Sequence, residues 1–234
     1  AGRWLRAALE VIADIGGRGR PAIVVGGSGL YLKVLANGLA PIPEVPPPVR
    51  RETGGLFDRL GEAAFRARLA KVDALAEAAI AHGDRQRLTR ALEVFLATGR
   101  ALSEWKEETA PAFSDDALRA VALAPERSEL VRRCEARVEA MIAAGALEEV
   151  RRLLSRRLDP ELPAMKALSL RVFAAHLSGE ISLAEAIVRA KAETRRFAKR
   201  QTTWLRHQAP SWPRIDPARA DLLSTALDHL KGES

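Results

Sequence analysis

Only two short stretches of this chain have the β-branched, apolar character of a buried strand, and they stand far apart. One is Ile23-Val24-Val25. The other spans residues 119–124 and is stopped by Pro125. Most of the rest reads as helix: Trp4 to Ile15, Leu30 to about Ala36, residues 49–109 almost without a break, then 128–144, 146–155, 163–178 and 182–206. Two lone strands make a poor sheet. Strands of this kind belong to a doubly wound parallel sheet. The expectation is therefore a mostly helical α/β chain whose parallel sheet is incomplete. The other strands are expected before Ala1, because the chain begins without Met and within a helical pattern.

The first strand runs into Gly26-Gly27-Ser28-Gly29, and helical spacing resumes at Leu30-Tyr31. Glycines in such a turn let the backbone approach a ligand. Backbone N–H groups at a helix start favour an anion. Ser28 offers a hydroxyl, either as a cap or as a ligand donor. A purely structural turn explains the pattern equally well. No Gly-x-x-x-x-Gly-Lys-Ser/Thr occurs anywhere in the chain.

The last long helix carries Arg189, Lys191, Arg195, Arg196, Lys199, Arg200 and Arg206 against a single acid, Glu193. At 100° per residue these cations wrap the helix instead of forming one stripe. Phe197 and Trp204 can anchor it in a core while the cations face either solvent or phosphates. The net charge of +7 and pI of about 10.1 favour a polyanionic partner, nucleic acid first. A single cysteine, Cys134, excludes a disulfide framework and a cysteine-based zinc site. No apolar window approaches the length of a membrane span, and the N-terminus lacks the pattern of a signal peptide.

The proline-rich residues 41–48 read as a stiff, extended connector and the best domain boundary. Three regions follow: a partial core over residues 1–42, an all-helical insertion over 43–115, and the remaining core with its C-terminal helices over 116–234. Ser182-Leu183-Ala184-Glu185 matches a capping box.

Five blocks in order carry a resemblance. They are Gly26-Gly27-Ser28-Gly29-Leu30-Tyr31; Pro48-Val49-Arg50; Asp84-Arg85-Gln86-Arg87-Leu88-Thr89-Arg90-Ala91-Leu92-Glu93-Val94; Met141-Ile142-Ala143-Ala144-Gly145-Ala146-Leu147-Glu148-Glu149-Val150; and Ala198-Lys199-Arg200-Gln201-Thr202-Thr203-Trp204-Leu205-Arg206. Together they resemble the bacterial tRNA dimethylallyltransferases almost from end to end. The resemblance implies transfer of a dimethylallyl group from its diphosphate to the exocyclic amine of the adenosine 3′ of the tRNA anticodon, with release of pyrophosphate. It implies a P-loop core of the ATP-binding, nucleotide-binding type, with a helical insertion that grips the anticodon arm. Mg2+ would assist, with ligands mainly in a segment before Ala1 that also holds the Walker A loop and the catalytic aspartate. On this view the chain is N-terminally truncated, inactive alone, cytoplasmic and monomeric.

Residue by residue, the resemblance implies catalytic roles for Ser28, which stands where the family has threonine, and for Arg137. An ordinary exposed helix position accounts for Arg137 equally well, since Arg132 and Arg133 share its helix. The resemblance implies tRNA contacts at Arg50, at Gln86, Arg87, Leu88, Thr89 and Arg90, and at Lys166, Ala167, Leu168, Ser169, Leu170 and Arg171. Without it, Arg87 and Arg90 also read as an ion-paired face with Glu93. The third segment departs from the family pattern, with Ser169-Leu170 where a Gly-Tyr or Gly-Phe pair is usual. This predicts backbone strain at position 169 and a lost stacking ring at 170. His82 reads as an exposed loop residue. Two other functions fit the charge pattern alone: a non-catalytic basic RNA-binding module, or the distal half of another P-loop phosphotransferase.

Overall fold

The computed structural model describes residues 1–114, 117–160 and 162–232. They form two compact units. The first comprises Ala1–Gly26 and Leu30–Ala117, and the second Gly27–Gly29 and Leu118–Ser234.

In the first unit, α1 (Gly2–Gly17) and α2 (Gly29–Asn37) meet through a parallel stack of Trp4 on Tyr31, ring centres 4.5 Å apart. The connector is extended as far as Pro46, but Pro47 and Pro48 already belong to α3 (Pro47–Ala70). A proline has no N–H to lose in a first helical turn, and its fixed φ suits that place. The α3 helix kinks at Gly61. It is followed by α4 (Ala74–Ala79), capped by Asp73, by α5 (Arg85–Thr98), capped by Asp84, and by α6 (Leu102–Glu107). Phe65 and Leu69 of α3 interlock with Leu88, Ala91 and Leu92 of α5 and with Ala76 and Ile80, all buried.

The second unit begins its core with β1 (Ala122–Leu123), followed by α7 (Arg127–Ala143), α8 (Ala146–Ser155), a 3-10 turn (Pro163–Lys166), α9 (Leu170–Leu177) and α10 (Leu183–Gln208). Then β2 (Arg214–Ile215) pairs in parallel with β1, Ala122 opposite Arg214 and Leu123 opposite Ile215. A last helix, α11, spans Leu222–Lys231. Val138, Val150, Leu170, Phe173, Ala186 and Ala190 form the core. Alanine at 186 and 190 lets α10 approach its neighbours closely.

Three expectations are corrected. Ile23-Val24-Val25 is not a buried strand: Ile23 is 75% and Val25 90% exposed, and no strand pairs with them among the described residues. A strand exists only with a partner to accept its hydrogen bonds. The strand at 119–124 shrinks to two residues, the length its partner β2 can pair. The helix at 163–178 is broken at Ser169, whose φ of +64° is left-handed. Both β2 and α11 went unforeseen.

Candidate nucleic-acid interface and active-site residues

The long helix α10 organises the second unit. Ser182 caps it by accepting the Glu185 N–H at 3.1 Å. Its cations divide by position. Arg189 pairs with Glu185, Lys191 with Glu139 and Arg195 with Glu135. Towards the C-terminal end, Arg196, Lys199, Arg200 and Arg206 have no carboxylate partner among the described residues; Arg200 lies 5.6 Å over the Phe197 ring.

The glycine turn is built against this end of α10. Gln201 donates its side-chain amide to the Gly27 carbonyl at 3.0 Å. A β-carbon on Gly29 would stand 2.4 Å from the Trp204 ring. Only glycines allow the turn to lie this close, and Ser28 is held between them, exposed at the start of α2. Beside Gln201 a cavity of about 390 Å³ has Leu123, Leu130, Ala198 and Leu205 in its walls, with Arg206 and Arg214 among its lining.

Arg137 is exposed on α7, and no carboxylate pairs with it among the described residues. Glu129 holds Arg132 at 2.7 Å and Arg133 at 2.6 Å. Those two guanidiniums keep the Glu129 carboxyl down at about 2. Of these three arginines, Arg132 and Arg133 are bound by Glu129, and Arg137 has no carboxylate partner among the described residues. The pairs Glu135–Arg195 and Glu139–Lys191 show that α7 runs antiparallel to α10. Arg137 is therefore level with Glu193, about 12 Å along the axis from Gln201 at 1.5 Å per residue.

A second cavity, of about 450 Å³, is lined by Lys166, Ala167, Leu168, Ser169, Arg171, Glu193, Arg196 and Arg200. Here the third segment of the sequence resemblance meets α10. Ser169 donates its N–H to Glu193 at 3.0 Å, which occupies the only acid among the described lining residues. Leu170 does not face this cavity; it is buried in the helical core. Arg196 and Arg200 are four apart and share a helix face, so they stand with Arg171 around one opening. Sequence reading assigned neither to the site. Their spacing on one face was the available signal.

In the first unit, Arg50 is exposed near the start of α3. Gln86 and Arg87 are exposed on the first turn of α5, with Arg90 one turn on. Arg87 lies 3.2 Å from Asp84, and Arg90 lies 3.7 Å from Glu93. Leu88 is fully buried in the core, and Thr89 turns its hydroxyl back to the Arg85 and Gln86 carbonyls. These two shape the helix while Gln86, Arg87 and Arg90 present polar groups outward. His82 is exposed. Among the described residues, no three of His, Cys, Asp and Glu come together as a metal site. Nor is any helix among them long and apolar enough to cross a membrane.

Residues 1–208 match the family model described as IPP transferase. A tRNA dimethylallyltransferase from Phenylobacterium zucineum (strain HLK1) is 62% identical over 214 residues, covering 92% of this chain and 69% of the relative. A tRNA dimethylallyltransferase from Caulobacter sp. (strain K31) is 49% identical over 215 residues, covering 92% of this chain and 70% of the relative. The fold matches that of a eukaryotic dimethylallyltransferase acting on tRNA, with a TM-score of 0.79 at 23% identity over 99% of this chain and 61% of that one. The chain belongs to the IPP transferase family.

Proposed function

We propose that this protein is a tRNA dimethylallyltransferase. It transfers the dimethylallyl group from dimethylallyl diphosphate to the exocyclic amine of the adenosine 3′ of the anticodon. The observation that carries this reading is the 62% identity to a tRNA dimethylallyltransferase across 92% of the chain. In chemical terms, the amine attacks the allylic carbon, the carbon–oxygen bond to the diphosphate breaks, and pyrophosphate leaves with the electron pair. The amine then sheds a proton. The leaving group carries the growing charge, so cations near it stabilise the transition state.

Ser28, presented by the turn that Gln201 and Trp204 hold, is read as a hydrogen-bond donor to the diphosphate. Arg137, unpaired on α7, is read as its cationic stabiliser. The apolar cavity beside Gln201 suits the allyl group. Arg50, Gln86, Arg87 and Arg90 in one unit, and Lys166 to Arg171 in the other, are read as contacts to the anticodon arm, with residues 43–115 as the helical insertion. The protein is read as a cytoplasmic monomer on a P-loop-type core, and Mg2+ as an aid to the diphosphate, with its ligands mainly outside this chain.

The test uses two proteins: this chain alone, and this chain joined to the portion of the Phenylobacterium relative that it does not cover. Each is incubated with dimethylallyl diphosphate and an anticodon stem-loop, and prenylated adenosine is measured by mass spectrometry. Product from the joined protein is expected. Its absence there overturns the proposal.

A further inference from the structure

The guanidinium of Arg66, on α3, is buried and fully engaged. Nε donates to Glu62 at 2.9 Å. Nη1 donates to the Glu77 carboxylate at 2.8 Å and to the Glu77 carbonyl at 3.1 Å. Nη2 donates to the carbonyls of Ile80 at 2.8 Å and Ala81 at 2.7 Å. All five N–H groups of the fork are used, and three of them end on main-chain oxygens. Glu62 carries the arrangement onward, accepting the Gly83 N–H at 3.0 Å. Its carboxyl is held below the ordinary value first by Arg66 and then by that N–H.

The segment pinned in this way, residues 80–83, leads directly into α5. The next residue, Asp84, caps the helix by accepting the Arg87 N–H at 3.0 Å and pairs with the Arg87 side chain. The Ala81 carbonyl that takes Arg66 also accepts the Asp84 N–H at 3.3 Å, so the contacts lead residue by residue from a buried guanidinium to an exposed one. The Arg87 side chain is 75% exposed, and that of Arg66 only 10%. Hydrophobic packing between α3 and α5 fixes the distance between the helices. It does not fix the conformation of a four-residue turn that contains glycine, and the Arg66 fork does.

We propose that Arg66, acting with Glu62, is a positioning residue for nucleic-acid binding: it sets the 80–83 turn so that Arg87 and the first turn of α5 meet the RNA phosphates. This rests on the reading of α5 as an RNA contact. Arg66 itself does not touch RNA.

The experiment measures affinity of the protein for an anticodon stem-loop at several salt concentrations. Arg87→Ala comes first. It is expected to weaken binding and to lower the salt slope by about one. If both are unchanged, α5 is not an RNA contact and the proposal falls with that reading. Arg66→Lys keeps the charge but cannot form the planar fork. It is expected to weaken binding roughly ten-fold and to lower the slope by about one, as though a surface cation had been removed. Arg66→Lys combined with Arg87→Ala is expected to bind no more weakly than Arg87→Ala alone. A lower melting temperature with unchanged affinity and slope would assign Arg66 to stability only, and additive losses would show that it acts independently of Arg87; either result overturns the proposal. Should Arg66→Lys fail to fold, Glu62→Gln decides: weaker RNA binding supports positioning, and unchanged binding refutes it.

Discussion

Gln201 and Gly27, separated by 174 positions in the chain, are joined by one hydrogen bond of 3.0 Å from the side-chain amide to the main-chain carbonyl. This bond, with the Trp204 ring against Gly29, is what ties the glycine turn to the basic helix. A β-carbon on Gly27 would stand 2.2 Å from the Gln201 amide nitrogen, and one on Gly29 would stand 2.4 Å from the indole. The obstacles differ: an amide at the end of a flexible side chain can swing away, and a ring cannot. Gly27→Ala should therefore cost about 1 kcal/mol, the value of the lost hydrogen bond. Gly29→Ala should cost more, about 1–3 kcal/mol, through overpacking. Urea denaturation of the two variants checks the order, and equal midpoints would contradict it.

Ser169 holds a φ of +64° where the family pattern has glycine. A side chain in this conformation costs about 1–2 kcal/mol, and a glycine returns part of that through a freer unfolded chain. Ser169→Gly should raise stability by about 0.5–1 kcal/mol. Ser169→Val should lower it, since a β-branched residue tolerates this region least. Thermal melts of both variants give the comparison.

Arg171 and Arg196 line one cavity and have no carboxylate partner among the described residues. Each alanine variant should lower the salt slope of RNA binding by about one. Arg195, on the same helix, is paired with Glu135. Its alanine variant should change the slope much less, and an equal change would show that ion pairing does not sort these arginines.

Arg137→Ala should reduce kcat by roughly ten- to a thousand-fold if the guanidinium stabilises the leaving diphosphate. Arg132→Ala should leave kcat nearly unchanged, because Glu129 already holds that side chain. The comparison is made at saturating RNA in the joined protein. Equal losses from both variants would point to helix charge in general.

Glu129 falls from its ordinary 4.5 to about 2, chiefly through its bonds to Arg132 and then Arg133. A carboxyl depressed in the folded state contributes stability that is present above its unfolded value and is lost as pH falls through the folded one. Stability should thus decline between pH 4.5 and about 2. Glu129→Gln should flatten that part of the profile, measured by urea melts at pH 5 and pH 3. Asp221, held at about 2 by Arg219, should behave in the same way in the last helix.

The helices were legible because their signals are local. Apolar spacing marked α7, α8 and α10 one by one, and residues 49–109 as a helical block that the structure divides into α3 to α6; Ser182 caps α10 as its capping box predicts. The five ordered blocks were enough to indicate the family. What the sequence could not decide depends on residues far apart. Arg-Ile at 214–215 has no strand pattern of its own and is a strand only because Ala122–Leu123 lies beside it. Ile23-Val24-Val25 has the pattern and is no strand, because no partner lies alongside among the described residues. Within Gln86 to Arg90, neighbours of similar promise separate into a buried leucine, a self-satisfied threonine, an exposed Arg87 and a half-buried Arg90, according to which face α3 covers. The sorting of Arg132, Arg133 and Arg137, by contrast, is local: Glu129 stands three and four residues before the first two and eight before the third. Period and capping act over one helical turn, whereas pairing, burial and cavity formation depend on where the folded chain returns.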